Sequence, residues 1–210
     1  MANEELPIVQ YKSPSAKVLA ELLSSHADLS FVVGCCERLE QDGETIGEDP
    51  TYLRALWSAA LVAYVRAIWD PQRKWIRSAL EKRLGDFDGN PLKFHQYLKD
   101  MRDKYVSHSV NPYEDFRIGL TLPPEGKDSE GVLSVTTLGF QLLDQPGNAA
   151  TLEKVARAFL ETLNSLIANQ NKVILDEAKA IPVSKHRSSR PLKLTVPGSE
   201  KVGKRRKGGF

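Results

Sequence analysis

At 210 residues, with 41% hydrophobic and 27% charged side chains, the chain has ordinary globular composition and the length for one well-buried core. No run of about 18 uncharged apolar residues occurs, and the opening Met-Ala-Asn-Glu-Glu-Leu-Pro puts acid where a secretory leader carries base, so a cytoplasmic protein with no membrane partner is expected. The net charge of +2 hides a segregation: residues 183–210 hold nine Lys or Arg against Glu200, while the preceding 182 residues carry 20 basic and 26 acidic groups, which excludes phosphate attraction as a property of the whole body.

In chain order, apolar residues at helical spacing (Val18, Leu19, Leu22, Leu23, then Val32, Val33, Cys36, Leu39) predict a first helix over about 15–41, with Ser13 or Ser15 as cap and a possible break near Asp28. Asp49-Pro50 reads as an N-cap followed by a first-turn proline, opening a second helix to Trp69 that is apolar on nearly all sides and therefore central. A short third helix over 72–84 follows, and Asn90-Pro91 caps a fourth whose Phe94, Leu98, Met101 and Tyr105 mark one buried face. Two β-rich runs, 116–122 and 132–140, separated by a Pro/Gly-rich stretch, predict a long-looped hairpin at about 115–140. A fifth helix runs from Pro146-Gly147 to about Ala180, apolar at Leu152, Val155, Phe159 and Leu163. The fold class expected is mainly α, a bundle of about five helices with an inserted hairpin over residues 1–182, followed by a basic disordered tail over 183–210, whose composition has few large apolar groups to offset the entropy of folding.

Cys35 and Cys36 are the only cysteines, and adjacent cysteines rarely reach disulfide geometry, so both are expected as reduced, half-buried thiols. The four histidines lie singly with no CxxC or HxxxH, and no metal or other cofactor is expected. The segment able to carry chemistry is Tyr97 to Glu114, which sets a fixed cation, Arg102, and a titratable imidazole, His108, at the end of an apolar-faced helix. A guanidinium can stabilise charge developing on phosphate oxygens, and an imidazole transfers protons near neutral pH. RNA brings its own nucleophile, the 2′-hydroxyl, so this pair can act on it without a metal.

Arg102-Asp103-x4-His108, on a late helix of an apparent bundle, resembles the Arg-polar-x4-6-His motif of the HEPN superfamily. The resemblance spans roughly residues 15–175, with its sharp part in seven residues. It implies a metal-independent endoribonuclease in which Arg102 and His108 are catalytic, Asp103 assists, and two protomers bring their motifs together across a homodimer interface. It also implies an RNA or nucleotide ligand, a role as a toxin or in stress or phage defence, and an antitoxin or other regulatory partner. Non-catalytic nucleotide-, RNA- or protein-binding modules belong to the same superfamily, and a purely structural scaffold is the third reading. In a straight α-helix Arg102 and His108 stand roughly 120° apart and about 9 Å apart along the axis, so either the helix changes geometry before His108 or a two-fold axis pairs Arg102 of one protomer with His108 of its partner.

Around that pair, Arg66 interrupts the apolar second helix and reads either as a structural ion-pair residue or as a contact to substrate phosphate. Ser107 and Asn111 flank His108 and either orient a ligand or serve as helix-end and turn residues. His108 itself has a structural alternative, a helix-end histidine capping carbonyls, with Arg102 a surface ion-pair residue. Tyr105, Trp57, Trp69 and Trp75 read as core, and His26 and His95 carry no signal. Lys204, Arg205, Arg206 and Lys207 concentrate the tail's charge and fit salt-dependent, sequence-independent retention of nucleic acid; the same run also reads as a solubilising or docking extension.

Overall fold

The computed structural model describes residues 6–45, 49–70, 74–85, 87, 89–107, 114–127, 131–141, 147–193, 198–201 and 203. Among these the chain is mainly helical, with one two-stranded antiparallel sheet. The helices are α1 (Pro14–Thr45), α2 (Pro50–Trp69), α3 (Lys74–Leu84), α4 (Pro91–Asp100), α5 (Asn148–Lys179) and α6 (Val183–Arg187); α4 continues into a π-helical turn, Met101–Val106. The strands are β1 (Glu114–Thr121) and β2 (Ser134–Gln141).

The helix starts follow from their caps. Asp49 accepts from the amides of Thr51 at 2.9 Å and Tyr52 at 3.4 Å, Asn90 accepts from Lys93 at 3.0 Å, and Ser13 accepts from Ala16 at 3.0 Å, each satisfying amides that a helix leaves open at its first turn. The break expected near Asp28 does not occur, because α1 is continuous for 32 residues and its buried Asp28 carboxylate is held by Arg66 of α2. By length and composition, Pro14–Gln41 of α1 is apolar enough to cross a membrane, with a best-window mean hydropathy of 1.3; Glu21 and Asp28 interrupt it without lowering that average below a spanning helix's. Its second half is core: Leu29, Val32 and Cys36 are fully buried.

The helical part expected over residues 1–182 divides into two compact units, residues 27–160 and a second made of the two ends of the chain, residues 1–26 with 161–210. In the first, α2 is the central element: Trp57, Ala60, Leu61, Tyr64, Val65, Ala67 and Ile68 are at most 1% exposed. It is joined by Ile76, Leu80 and Leu84 of α3, by Leu98 and Met101 of the α4 helix, and by Leu152, Val155 and Phe159 of α5. Cys35 and Cys36, expected half-buried, are fully inside as free thiols because both fall on the part of α1 that packs in the core, and burial pushes the Cys35 thiol up. Trp75, expected in the core, lies 39% exposed on the outer side of α3.

The hairpin pairs Phe116 with Gly139, Ile118 with Thr137 and Leu120 with Val135. Because side chains alternate along a strand, Phe116, Ile118, Leu120 and Val135 share one face, and each is more than half exposed. The Phe116 ring lies over Gly139, where a Cβ would stand 2.3 Å from the ring. A turn at Pro124–Lys127 closes with Lys127 N–H on the Pro124 carbonyl at 3.0 Å, and Gly126 takes the positive φ of 88° that its third position requires.

In the second unit, residues 183–193 depart from the disorder expected from residue 183. They form α6 and an antiparallel bridge, Val9 with Pro191, in which Gln10 N–H donates to the Arg190 carbonyl at 2.8 Å and Leu192 N–H to the Ile8 carbonyl at 3.0 Å. Composition predicts order through apolar burial, whereas this segment is ordered by backbone pairing with the other end of the chain.

Candidate functional site

The expected site lies where α4 becomes a π turn. Leu98, Met101 and Tyr105 face the core, so Arg102 and Asp103 fall to the outer side, about one-third exposed. Asp103 is the hub of a small ion cluster: Arg102 Nη1 is 2.8 Å from one of its oxygens and Lys99 Nζ 2.6 Å from the other, the second pair one helical turn apart. The turn is widened by a bond from Ser107 N–H to the Arg102 carbonyl at 3.2 Å, five residues apart, and the Ser107 hydroxyl donates to the same oxygen at 3.2 Å. Ser107, rather than Val106, therefore stacks over Arg102. π turns are rare and concentrate at functional sites, since the inserted residue re-aims the side chains that follow. Helix geometry thus changes between Arg102 and Ser107.

Beneath it, the Tyr105 hydroxyl is buried and finds no hydrogen-bond partner among the described residues, and the Arg54 guanidinium stands 6.0 Å from the Tyr105 ring. His108 and Asn111 lie outside the described residues, as do Lys204, Arg205, Arg206 and Lys207.

Arg66 is not brought to this place. α2 and α4 run antiparallel, since Tyr64 meets His95 and Arg54 meets Tyr105. Arg66 sits beside Tyr64, twelve residues from Arg54, or about 18 Å along the helix. There Nε donates to Asp28 Oδ2 at 2.9 Å and Nη2 pairs with Oδ1, a fork on a carboxylate that is 10% exposed. That hydrogen bond raises the Arg66 pKa further above its ordinary value. Of its two readings, the structural ion pair is the one observed.

The histidine without a sequence signal, His95, is the most engaged. Its ring stacks on Trp69 at 3.9 Å, meets Phe159 edge-on at 6.4 Å, and its Nδ1 is 2.6 Å from the Tyr64 hydroxyl. Burial, with Arg77 second, pushes its pKa down to about 3; Glu81 at 3.7 Å from Nε2 pulls the other way and is outweighed. The imidazole is therefore neutral near pH 7; Nδ1 shares a hydrogen bond with the Tyr64 hydroxyl, and Nε2 is buried with no hydrogen-bond partner among the described residues. Burial first, and the Glu81 charge second, pushes the Tyr64 hydroxyl well up, so it stays protonated. Arg77 extends the cluster outward, donating to Glu81 at 2.7 Å and lying 5.1 Å over the Trp69 ring. The signal was available: His95 falls one residue after Phe94 and three before Leu98, on the face turned to an aromatic-rich α2. With His95 3% exposed, the cluster packs the bundle and admits no substrate.

Among the described residues no three His, Cys, Asp or Glu side chains converge as metal ligands would. Comparison of the chain with family models, with curated proteins and with solved structures finds no match.

Proposed function

We propose that the chain is a cytoplasmic, dimeric, metal-independent endoribonuclease of HEPN type, acting through Arg102 and His108. The observation that supports this reading best is the coincidence of the π turn with the motif: the one widened helical turn among the described residues begins at Met101 and carries Arg102 and Asp103 outward. In the proposed reaction the 2′-oxygen of RNA attacks the adjacent phosphorus and the P–O5′ bond breaks. His108 moves protons between the 2′-hydroxyl and the leaving 5′-oxygen, and Arg102 stabilises the charge that builds on the phosphorane oxygens. Asp103 holds Arg102 in position, Ser107 and Asn111 orient the ligand, and Lys204 to Lys207 retain RNA. The products are a 2′,3′-cyclic phosphate and a 5′-hydroxyl. A role as a toxin or in stress or phage defence, under an antitoxin or other regulatory partner, is what the motif's resemblance suggests.

The test is cleavage of end-labelled RNA in EDTA by wild type, Arg102→Ala and His108→Ala proteins, each checked for folding and dimerisation. Cleavage by wild type with losses of roughly 10²–10⁴ in His108→Ala is expected. An intact dimer that cleaves no RNA in a broad panel would sink the enzyme reading. One observation favours the second reading, a non-catalytic nucleotide-, RNA- or protein-binding module: Arg102 is already engaged by Asp103, which Lys99 also holds. That module binds without turnover, and Arg102→Ala weakens binding instead of rate.

A further inference from the structure

The second unit contains a cleft of about 490 Å³ between the N-terminal segment and the turn that joins α6 to the bridge strand. Its walls are built rather than incidental. The Val9–Pro191 bridge fixes one side; His186 Nε2 meets the Ala178 carbonyl at 2.9 Å and fixes α6 to the end of α5. Tyr11 leans on the His186 ring at 6.0 Å while its hydroxyl donates to Glu177 at 3.4 Å, so the aromatic wall is anchored from behind.

Into this frame project Lys12, Lys185 and Arg190, all exposed. Among the described residues none of the three has a carboxylate at ion-pair distance, and no carboxylate lines the cleft. The Ser189 hydroxyl and the Gln10 amide add neutral donors. The unit as a whole repeats the bias: residues 1–26 and 161–210 carry 13 Lys or Arg against 7 Asp or Glu, net +6, whereas residues 27–160 carry 16 against 20, net −4. Three cations around one concavity, with no carboxylate among its described lining residues, favour a polyanion there.

We propose that this cleft binds the phosphodiester backbone of a single-stranded nucleic acid. Its volume suits a nucleotide-sized unit, and a cleft this small has no room for a duplex. Lys12, Lys185 and Arg190 neutralise successive phosphates, and Ser189 and Gln10 donate to phosphate or sugar oxygens, so binding is independent of sequence. The site does not require Arg102 or His108 to be catalytic, and it is distinct from the cluster Lys204 to Lys207.

The experiment uses the full chain and a short fluorescein-labelled oligodeoxythymidine, which lacks a 2′-hydroxyl, so that binding is read apart from any cleavage. Anisotropy is followed against salt for wild type, for the triple variant Lys12→Gln/Lys185→Gln/Arg190→Gln, and for a chain with Gln at 204–207. The triple variant should bind at least tenfold more weakly, and its log–log salt slope should be shallower by about 2, from roughly 0.7 per phosphate contact on a single strand. Wild-type affinity and slope in a triple variant with an unchanged melting curve would overturn the proposal. So would loss of all binding in the 204–207 variant, or equal binding of AMP and the oligonucleotide. Should the triple variant not fold, the single variant Lys185→Gln must still lower the slope by about 0.7.

Discussion

In residues 27–160 the packing is done by side chains: Trp57, Leu61, Tyr64, Ile68, Leu98 and Phe159 are all fully buried, and the net charge is acidic. In the unit made from the two chain ends, Leu22 and Leu163 are, among the described residues, the large apolar side chains that reach full burial. Order there comes from backbone pairing at Val9 and Pro191, from His186 on the Ala178 carbonyl, and from Glu177, which accepts from Tyr11 and, at 2.5 Å, from Ser15. A unit held by burial tolerates little change inside and carries little charge there. A unit held by polar and backbone bonds leaves its side chains free to carry charge outward, which is the condition a phosphate-binding surface needs.

That contrast is broken most directly in the core. Phe159→Ala removes a ring packed against Tyr64 and His95, and should lower unfolding free energy by about 3–5 kcal/mol in a urea titration. Gln in place of Lys12, Lys185 or Arg190 should stay within about 0.5 kcal/mol of wild type in the same titration. Equal losses in both sets would show that the two units are not held by different means.

Acid sharpens it further. The His95 pKa is about 3 in the folded chain against 6.5 for an unhindered histidine, so between those values the unfolded chain binds the extra proton. Stability is therefore full above pH 6.5 and falls as pH drops toward 3, with a slope of up to about 1.4 kcal/mol per pH unit from this group. His95→Phe should flatten the wild-type dependence in that window when unfolding is followed at several pH values. A slope identical to wild type would mean that the ring is not held neutral.

The Arg66–Asp28 pair predicts an asymmetry. Arg66→Ala leaves a carboxylate 10% exposed without its cation and should cost about 1–3 kcal/mol, whereas Arg66→Ala with Asp28→Leu should recover most of it, as measured by chemical denaturation of both. Smallest of all is Gly139→Ala. The new methyl meets the Phe116 ring, but that ring is 58% exposed and can swing aside, so a loss under about 1 kcal/mol is expected in thermal unfolding.

Caps and periodicity were readable in advance wherever one residue does one job. Asp49-Pro50 and Asn90-Pro91 start helices because their side chains serve nearby amides, and Leu98, Met101 and Tyr105 are buried because they recur on one face. What could not be read depends on partners distant in sequence. Nothing local to Asp28 announces a cation 38 residues away, the spacing that turns His95 toward α2 does not single out Tyr64 and Trp69 as its partners, and the order of residues 183–193 rests on a bridge to the opposite end of the chain. At the expected site, Arg102 and Asp103 take the outward positions that the helical period assigns them, while the π turn below Ser107 has no signature in composition, because it is a choice of hydrogen-bond register.

The hairpin offers a practical consequence. Its turn at Pro124–Lys127 is exposed and contributes no side chain to the buried core, and among the described residues both strands pair only with each other. A small fluorophore or an affinity peptide placed at Glu125 should leave α2 and its neighbours undisturbed, giving a handle by which assembly of the protein, and its encounter with nucleic acid, can be followed without touching either charged surface.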